Sequence, residues 1–348
     1  MKEIESLPSF RPDSLDEYVG QEEIKKRLRI ALQAAKLRSE PLDHVLLAGP
    51  PGLGKTTLAY VIARELRKNI YITSGPVIER GGDIAAILSS LEEGDVLFID
   101  EIHRMSKPAE EVLYSALEDF QVDVMIGKGP TARSVRIRLK PFTLIGATTR
   151  SGLLSPPLRN RFGMIFELDF YSVDELTKIV ERACQLMNIP IEREAAWLIA
   201  QRSRGTPRTA LRLLKRVRDV ATVRREERIT PNTVLRTMDI LEIDSLGLDE
   251  MDRKILRTII EIYDGGPVGL EALAATLNVE IDTLKEVYEP YLLRSGLLVR
   301  TSRGRAATDL AYQHLGYKRV RGGLFDGYPA EPSEDKGKNC SGSLEGAS

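Results

Sequence analysis

The sequence predicts an α/β domain with a parallel sheet covered by helices, followed by an all-helical domain and a small winged-helix domain. In residues 1–171, short apolar runs alternate with runs of helical spacing, which is typical of a parallel sheet with helical crossovers. Residues 172–244 have a helical pattern throughout. Residues 245–321 hold three amphipathic runs and then two short β-like runs around a turn. Residues 322–348 are rich in Gly, Ser, Pro and Glu, which predicts a disordered tail.

Five short apolar runs are the candidate strands of the sheet. Each has the length and the continuous hydrophobicity of a strand that is buried on both faces. They are His44–Ala48, Ile70–Thr73, Val96–Ile99, Phe142–Ala147 and Met164–Leu168. Before the first of them, a helix is predicted over Glu22–Lys36.

A phosphate-binding loop follows the first candidate strand. Gly49–Thr56 fits the pattern G-x-x-x-x-G-K-[ST], and a helix is predicted directly after it over Thr56–Arg67. Such a loop points backbone N–H groups inward, and the helix N-terminus adds partial positive charge. Lys55 can reach the β- and γ-phosphates, and the Thr56 hydroxyl can bind Mg²⁺. The predicted loop contacts to a nucleotide are Gly52, Gly54, Lys55, Thr56 and Thr57.

A pair of carboxylates ends the third candidate strand, about 45 residues after the loop. An aspartate in this place holds Mg²⁺ in phosphate-loop enzymes, which is the role predicted for Asp100. The adjacent Glu101 can polarise an attacking water as a general base. A module that only binds nucleotide does not require Glu101, so the pair favours ATP hydrolysis.

Composition limits the class of protein and its location. The 348 residues carry a formal net charge of −1, which excludes a uniformly basic protein but not a local basic surface. Two cysteines, Cys184 and Cys340, are too few for a disulfide framework and indicate a reducing compartment. The N-terminus lacks a signal core, and no run of 18 apolar residues occurs. We therefore expect a cytoplasmic protein without a membrane span.

The two later domains have local signals of their own. Ser172 and Glu175 form a capping box at the start of the helical domain, and Thr230 precedes a proline in the first turn of a later helix. In the third domain, helices are predicted over Asp249–Tyr263, Gly269–Leu277 and Ile281–Arg294, with strands over Leu297–Arg300 and Arg305–Thr308.

Basic residues gather in this winged-helix domain. They are Arg294, Arg300, Arg303, Arg305, Lys318 and Arg319. A glycine-bearing turn with arginines suits contact with phosphates or insertion into a minor groove. We predict Arg300 and Arg305, on the two strands of the wing, as DNA contacts. The alternative is a solvated basic surface, or a winged helix that binds protein.

Together these motifs resemble the AAA+ ATPases and, in detail, the RuvB family of hexameric ring motors that drive Holliday-junction branch migration in bacteria. The resemblance runs from about Arg11 to Tyr317. Its most specific strings are Arg11–Gln21, Phe98–Arg104, Gly146–Arg150, Ser203–Arg208 and Gly265–Gly269. Two residues depart from the usual pattern, since Phe10 replaces a leucine and Asn160 replaces a serine that is common in related rings.

The resemblance implies three further residues that act on the nucleotide. Thr149 resembles sensor 1, although it is also compatible with a plain hydrophilic strand end. Arg161 resembles the arginine finger that reaches the nucleotide of a neighbouring subunit. Arg159 is the competing candidate in the same turn, and a local salt bridge is the alternative role. Arg208 resembles sensor 2, which the helical lid supplies.

The resemblance also implies residues around the adenine base. Phe10, Arg11 and Tyr171 resemble residues that line the adenine pocket, and Tyr171 is equally compatible with packing at a hinge. In the family, Glu118, Asp119 and Phe120 lie near that pocket.

An insertion near residues 121–139 separates this family from other AAA+ proteins. Val122–Ile126 and Ser134–Arg138 alternate around Gly127–Pro130, which predicts a β-hairpin. The resemblance implies that this hairpin binds the junction-binding partner RuvA. Its apolar side chains Val124, Met125 and Ile126 would then be exposed for partner binding. The alternative is a hairpin that packs on its own domain.

The sequence therefore predicts an ATP-dependent and Mg²⁺-dependent translocase on double-stranded DNA at four-way junctions, active in recombination and repair. The resemblance implies a hexameric ring that acts with RuvA, and names the RuvC resolvase as a further candidate partner. Another AAA+ motor is the first alternative, but neither the collar domain of a clamp loader nor the aromatic pore loop of an unfoldase is evident. A nucleotide-gated DNA-binding regulator that does not translocate is the second alternative.

Overall fold

A five-stranded parallel sheet forms the framework of the N-terminal part of the chain. The computed structural model describes residues 10–126 and 133–318. The sheet consists of β1 (Val45–Ala48), β2 (Ile70–Ser74), β3 (Val96–Asp100), β6 (Thr143–Thr148) and β7 (Met164–Glu167). The strands lie in the order β2-β3-β6-β1-β7, and every neighbouring pair is parallel. The predicted α/β fold is confirmed, and each predicted strand end differs from the structure by no more than one residue.

Helices cover both faces of the sheet. The helices α1 (Glu22–Arg38) and α2 (Lys55–Leu66) pack on one face, and α3 (Gly81–Ser89), α4 (Lys107–Asp119) and α5 (Pro156–Arg159) pack on the other. Successive residues of a strand point to opposite faces, so Val45 and Leu47 enter the first core while Leu46 enters the second. This two-sided burial explains why the inner strands read as continuous apolar runs. The edge strand β2 is only half-buried, and its Tyr71 and Ile72 are exposed.

Parallel strands place chemically different residues at the two edges of the sheet. The carboxyl ends of the strands lead into Gly49 after β1, Glu101 after β3 and Thr149 after β6. At the opposite edge, where the strands begin, His44 precedes β1 and Gly163 precedes β7. The two starts are adjacent because Val45 pairs with Met164. The first edge is called the carboxyl edge and the second the amino edge below.

An antiparallel hairpin of β4 (Gln121–Ile126) and β5 (Arg133–Arg138) follows α4. Val122 pairs with Ile137, and both belong to the core beneath α3 and α4. Asp123 faces Arg136 across the strands, and the two form an exposed ion pair at 3.0 Å. The base of the hairpin therefore packs on its own domain. The side chains of Val124, Met125 and Ile126 lie outside the described residues.

A helical domain follows the sheet and consists of α6 (Val173–Leu186), α7 (Arg193–Gln201), α8 (Pro207–Arg224) and α9 (Pro231–Ile240). The capping box of Ser172 and Glu175 is present, as is the cap that Thr230 makes before Pro231. Cys184 is buried in α6, whereas Cys340 lies outside the described residues. The core of these helices is continuous with the core beneath α1 and α2. The first of two compact units of the chain accordingly extends to Lys254.

The second unit begins within α10 (Glu250–Ile262) and, over the residues that the structure describes, contains four further α-helices and a wing. The helices are α11 (Leu270–Leu277), α12 (Ile281–Thr283), α13 (Glu289–Arg294) and a final α14 (Asp309–Leu315), and the wing is β8 (Leu298–Thr301) with β9 (Gly304–Ala307). The wing strands are antiparallel, and Val268 adds a bridge to Arg305.

The predicted helix over Ile281–Arg294 is present, but it is not α-helical throughout. A π-helical segment, Leu284–Tyr288, separates α12 from α13. Pro290 stands at the start of α13, and proline can neither donate an intrahelical hydrogen bond nor tolerate the carbonyl four residues earlier at normal spacing. A wider π-turn just before the proline relieves this conflict. Arg319 and the predicted disordered tail lie outside the described residues. Within the described ranges, no helix has the length and hydrophobicity to span a membrane.

Candidate functional site

The loop between β1 and α2 is shaped for phosphate and is closed around a lysine. Gly54 caps α2 with φ of 95°, and an added Cβ there would lie 2.9 Å from the Tyr18 hydroxyl oxygen. Lys55 Nζ donates to the carbonyl oxygens of Gly49 at 2.7 Å and Pro50 at 3.0 Å. Burial lowers the pKa of Lys55, while the nearby Glu101 and Asp100 carboxylates act in the opposite direction. The ammonium is therefore held in place at the carboxyl edge by weak acceptors that a phosphate can replace.

A cavity above this loop gathers most of the predicted phosphate-site residues. The residues that line it include Arg11, Gly52, Gly54, Lys55, Thr56, Thr57, Asp100, Glu101, Thr149 and Arg208. Apart from Arg11, which precedes α1, they come from the loop after β1 and the start of α2, the ends of β3 and β6, and the start of α8. The convergence follows from the parallel sheet, because its strands deliver their carboxyl ends to one edge.

Several contacts fix the position of Glu101 in this cavity. Its backbone has φ of 46°, a left-handed conformation that is uncommon for a residue with a side chain. Glu101 Oε2 accepts hydrogen bonds from Thr149 N at 3.3 Å and from Thr149 Oγ1 at 3.1 Å. The same oxygen lies 3.2 Å from His103 Nδ1. Asp100 Oδ1 accepts the neighbouring Glu101 N–H at 3.0 Å.

Sequence reasoning missed His103. The residue lies in the string Phe98–Arg104, two positions after Glu101, but nothing in that spacing shows which way the imidazole points. In the structure a short 3₁₀ turn, Ile102–Arg104, carries it back towards β6, and its Nδ1 lies 2.9 Å from Thr148 Oγ1. Burial lowers the pKa of His103, with Glu101 opposing the shift, so the imidazole is neutral near pH 7.

An apolar pocket adjoins the phosphate cavity and holds two of the predicted adenine contacts. Phe10 and Tyr171 line it together with Tyr18, which sequence reasoning did not single out. Tyr171 Oη donates to Leu53 O at 3.2 Å and lies 3.1 Å from Tyr18 Oη. Burial raises the pKa of Tyr171 to about 12, so the hydroxyl stays protonated and can donate. Tyr171 N also donates to Gly205 O, so Tyr171 both lines the pocket and makes a contact at the hinge.

Arg11 lies on the phosphate side rather than in this apolar pocket. Its guanidinium carbon lies 4.0 Å from the centre of the Tyr60 ring, within cation–π distance. Arg11 therefore reaches the boundary between the two cavities from the chain segment before α1.

The loop before α8 connects the phosphate loop to the start of α10. Arg208 N donates to Gly52 O at 3.3 Å. Four residues earlier, Arg204 Nε donates to Gly247 O at 2.8 Å, and its Nη2 pairs with Asp249 at 2.8 Å and with buried Asp252 at 2.5 Å. A short segment thus contacts the nucleotide loop at one end and the first turn of α10 at the other.

Four predicted site residues lie at the amino edge, away from the phosphate loop of their own chain. Arg161 Nη2 pairs with Glu118 Oε2 at 2.7 Å, and Arg161 Nε is buried without a hydrogen-bond partner among the described residues. Asp119 and Phe120 follow at the end of α4, where the Phe120 ring packs edge-on against Phe142 at 5.8 Å. Glu118, Asp119 and Phe120 do not line either cavity of their own chain, because α4 runs from the carboxyl edge to the amino edge. Their contact with adenine stays a prediction.

The two wing arginines converge on a buried carboxylate. Arg300 and Arg305 are directly opposite in the hairpin register, and both Nε atoms donate to Glu289 Oε1 at 2.8 Å. Arg305 Nη2 adds a bond to Glu289 Oε2 at 3.3 Å. The side-chain exposure is 4% for Glu289, 19% for Arg305 and 54% for Arg300. Arg305 is thus largely buried, whereas Arg300 is well exposed, and the role of the two arginines as DNA contacts stays a prediction.

Glu289 is a second residue that sequence reasoning missed. Burial acts to raise its pKa, but hydrogen bonds from Arg300 and Arg305 outweigh burial and hold the pKa below the ordinary glutamate value. The carboxylate is therefore ionised near neutral pH and organises both strands of the wing from α13.

Comparisons with known proteins agree along the whole described chain. Three family descriptions match in succession: the Holliday junction DNA helicase RuvB P-loop domain at residues 10–168, the RuvB AAA lid domain at 171–244, and the RuvB C-terminal winged helix domain at 245–316. The RuvB subunit of the Holliday junction branch migration complex from Pseudothermotoga lettingae is 74% identical over 321 residues, which cover 92% of this chain and 94% of that protein. The corresponding Thermotoga maritima protein is 67% identical over 316 residues, which cover 91% and 95%. A solved structure described as the Thermotoga maritima RuvB Holliday junction branch migration motor has a TM-score of 0.81 at 64% identity and covers 89% of this chain and 99% of that one.

Proposed function

This chain belongs to the RuvB family, and on that premise we propose that it drives Holliday-junction branch migration as a hexameric ring on double-stranded DNA, with RuvA at the junction. It is a P-loop AAA+ ATPase motor. The observation that carries the proposal is the single cavity shared by Lys55, Asp100, Glu101 and Thr149. A protein that only bound nucleotide would not need a fixed glutamate beside the phosphate loop.

The proposed chemistry assigns a separate task to each side chain in the cavity. Lys55 binds the β- and γ-phosphates once they replace the loop carbonyls as its acceptors. Glu101 takes a proton from the attacking water. Thr149, hydrogen-bonded to Glu101 through both its backbone and its hydroxyl, couples the end of β6 to the base and senses the γ-phosphate.

Thr56 and Asp100 fit the needs of Mg²⁺. Both line the phosphate cavity, and Asp100 Oδ2 accepts no hydrogen bond from any residue that the structure describes. Among the described residues, no cluster of three or more His, Cys, Asp or Glu could bind a metal on its own. This agrees with Mg²⁺, which usually takes one or two protein ligands and completes its shell with phosphate and water. When bound, Mg²⁺ would neutralise charge on the phosphate oxygens.

The position of Arg161 supports a ring in which each site is shared. Strand β1 has four residues, and at about 3.3 Å per residue the two edges of the sheet are separated by roughly 13 Å of strand. Arg161 at the amino edge is therefore directed away from its own phosphate loop and is suited to act as the finger of a neighbouring subunit. Glu118, Asp119 and Phe120 would reach the neighbouring site from the same edge. Arg159 lies exposed at the end of α5 on this edge and stays the competing candidate.

The lid is proposed to convert nucleotide state into movement. Arg208, the proposed sensor 2 residue, bonds to the phosphate loop, and Arg204 in the same segment bonds to the start of α10. We assign residues 1–171 to the large ATPase domain, 172–244 to the lid, 245–321 to the winged-helix domain and 322–348 to a tail. A shift of the lid would then be passed directly to the helix that opens the winged-helix domain.

The remaining proposed contacts concern DNA and protein partners. Arg300 is the favoured DNA contact of the wing because it combines exposure with guanidinium N–H groups that Glu289 does not use. The hairpin of β4 and β5 is the proposed RuvA-binding element, and RuvC is a further candidate partner at the junction.

A branch-migration assay tests this function. The protein, ATP and Mg²⁺ are incubated with a synthetic four-way junction, with and without RuvA, and the separated duplex products and released phosphate are measured. We expect junction DNA with RuvA to stimulate ATP hydrolysis and to yield ATP-dependent products, and Lys55→Ala to abolish both. DNA-stimulated hydrolysis without strand exchange would favour a clamp-loader-like motor. Nucleotide-dependent DNA binding without either would favour the regulator.

A further inference from the structure

His103 Nδ1 lies close to the carboxylate oxygen of Glu101 that accepts hydrogen bonds from Thr149. Its side chain is 7% exposed, and its Nδ1 lies 3.2 Å from Glu101 Oε2 and 2.9 Å from Thr148 Oγ1. Glu101 Oε2 therefore contacts both the turn after β3 and the end of β6, while the hydrogen bond of His103 Nδ1 joins it to Thr148. Within the described residues, no hydrogen bond engages Glu101 Oε1.

The chemistry of the contact determines where the imidazole carries its proton. An ionised glutamate only accepts hydrogen bonds, so the contact is favourable when the proton is on Nδ1. With Nδ1 unprotonated, its lone pair would face the carboxylate at 3.2 Å. Thr148 Oγ1 already accepts a hydrogen bond from the Arg150 N–H at 3.0 Å. A hydroxyl oxygen has two lone pairs, so it can also accept from Nδ1–H while its own hydrogen points elsewhere.

We propose that His103 is a positioning residue for the general base: its imidazole, hydrogen-bonded to Thr148 at the end of β6, lies against Glu101 Oε2, keeps that oxygen beside β6 and leaves Oε1 to meet the attacking water. Glu101 has a left-handed backbone and precedes a short 3₁₀ turn rather than a regular helix, so contacts of its carboxylate are needed to fix its direction. A base that swings out of line loses rate without losing nucleotide affinity. The inference rests on the proposed role of Glu101 as the general base.

The test uses substitutions at His103 that separate its hydrogen bond from its volume. His103→Ala removes the donor, whereas His103→Asn places an amide N–H near the position of Nδ1. We expect His103→Ala to lower kcat for ATP by about 10- to 100-fold, the usual cost of losing a residue that orients an active group. Asn should restore most of this loss. KM for ATP and the affinity for a fluorescent ATP analogue should stay within about twofold, because the interaction acts in the chemical step.

His44→Ala is the matched structural control. His44 is also a buried imidazole, but at the amino edge, where its Nδ1 accepts from Leu144 N at 3.0 Å and its Nε2 bonds Leu117 O at 3.4 Å. This variant should lower the unfolding midpoint yet keep kcat. If His44→Ala and His103→Ala lose kcat in proportion to lost stability, or if His103→Asn is no better than Ala, the positioning role is wrong.

A double-mutant cycle with Glu101→Gln separates this inference from the function on which it rests. His103→Ala should add no further loss to Glu101→Gln, since it acts through that carboxylate. An additive loss would overturn the positioning role. A fully active Glu101→Gln protein would instead overturn the assignment of the base itself, whereas an inactive Glu101→Gln with a fully active His103→Ala would overturn only the inference about His103.

Discussion

Replacing Glu289 by alanine is the most direct test of how the wing is built. The carboxylate is 4% exposed and receives three hydrogen bonds from two guanidinium groups. Its removal leaves Arg305, which is 19% exposed, as a nearly buried cation without its acceptor. Breaking a buried ion pair from one side costs about 3–5 kcal/mol, whereas an exposed pair contributes about 0.2–1 kcal/mol. We expect Glu289→Ala to fall in the first range and Arg300→Ala, at 54% exposure, in the second.

The assay can assign this loss to the second unit because the chain has a single tryptophan. Trp197 lies in α7 of the first unit, so its fluorescence follows that unit during denaturation in urea. Circular dichroism follows helices in both units. Glu289→Ala should move an early part of the circular dichroism transition to lower urea and leave the fluorescence transition in place.

The pH dependence supplies a second check with a defined sign. Burial tends to raise the pKa of Glu289, but its two arginine partners lower it overall, so the unfolded chain binds the proton more readily than the folded one. The stabilisation is complete above the unfolded glutamate value of about 4.3 and is lost as the pH falls below it. The difference between the parent and Glu289→Ala should therefore shrink as the pH falls below about 4.

Two results would refute this account of the wing. A loss below about 1 kcal/mol for Glu289→Ala would mean that solvent screens the cluster. An equal shift of the Trp197 transition would mean that the effect is not confined to the second unit. For DNA, Arg300→Ala should lower the salt slope by roughly 0.9 with little change in stability. Unchanged affinity and salt dependence would show that Arg300 is not a DNA contact, and a protein-binding winged helix would then be favoured.

Three further predictions concern the ATPase unit. Glu101→Gln should bind ATP normally but hydrolyse it about 10²- to 10⁴-fold more slowly, because an amide cannot take the proton of the water; near-normal hydrolysis in a phosphate-release assay would contradict this role. Arg161→Ala should bind ATP and lose about 10³- to 10⁵-fold in turnover, and mixing it with Lys55→Ala should restore some hydrolysis at boundaries that pair an intact loop with an intact finger. Absence of recovery in verified mixed rings would argue against action between subunits. Burial lowers the pKa of His44, so the folded state excludes its proton and stability should decrease as the pH falls below about 6.5. His44→Ala should make stability depend less on pH in this range, and the remaining dependence should come from His103. An unchanged stability–pH curve would contradict the lowered pKa of His44.

The sheet and the phosphate cavity could be predicted because their signals are local. A strand buried on both faces reads as an unbroken apolar run, and a phosphate loop must combine fixed glycines with a lysine between a strand and a helix. The parallel topology then brings Asp100, Glu101 and Thr149 to the same edge without further information. Pro290 was also a visible signal for a break in the helix over Ile281–Arg294.

The residues that were missed depend on contacts across the fold rather than on local pattern. Glu289 approaches Arg300 and Arg305 only after the wing folds back on α13, and a single glutamate in a helix has no distinctive spacing. The direction of His103 depends on the 3₁₀ turn that brings it to Thr148, 45 residues away. Glu118 was assigned to the adenine pocket by family resemblance. That resemblance does not show whether a residue contacts the nucleotide of its own chain or that of a neighbouring subunit.

Because Arg161 and Lys55 lie at opposite edges of the sheet, ATPase activity should depend on protein concentration. If the finger acts on the neighbour, the smallest catalytic object is a boundary between two chains, and an isolated chain is inert. Specific activity should then fall steeply on dilution, with a reaction order in protein above one until rings are complete. A minority of chains that lack the arginine finger would also inhibit a mixed population, because each such chain inactivates the ATP site of an otherwise normal neighbour. Cells that contain both kinds of chain would show a dominant defect larger than the fraction of altered protein.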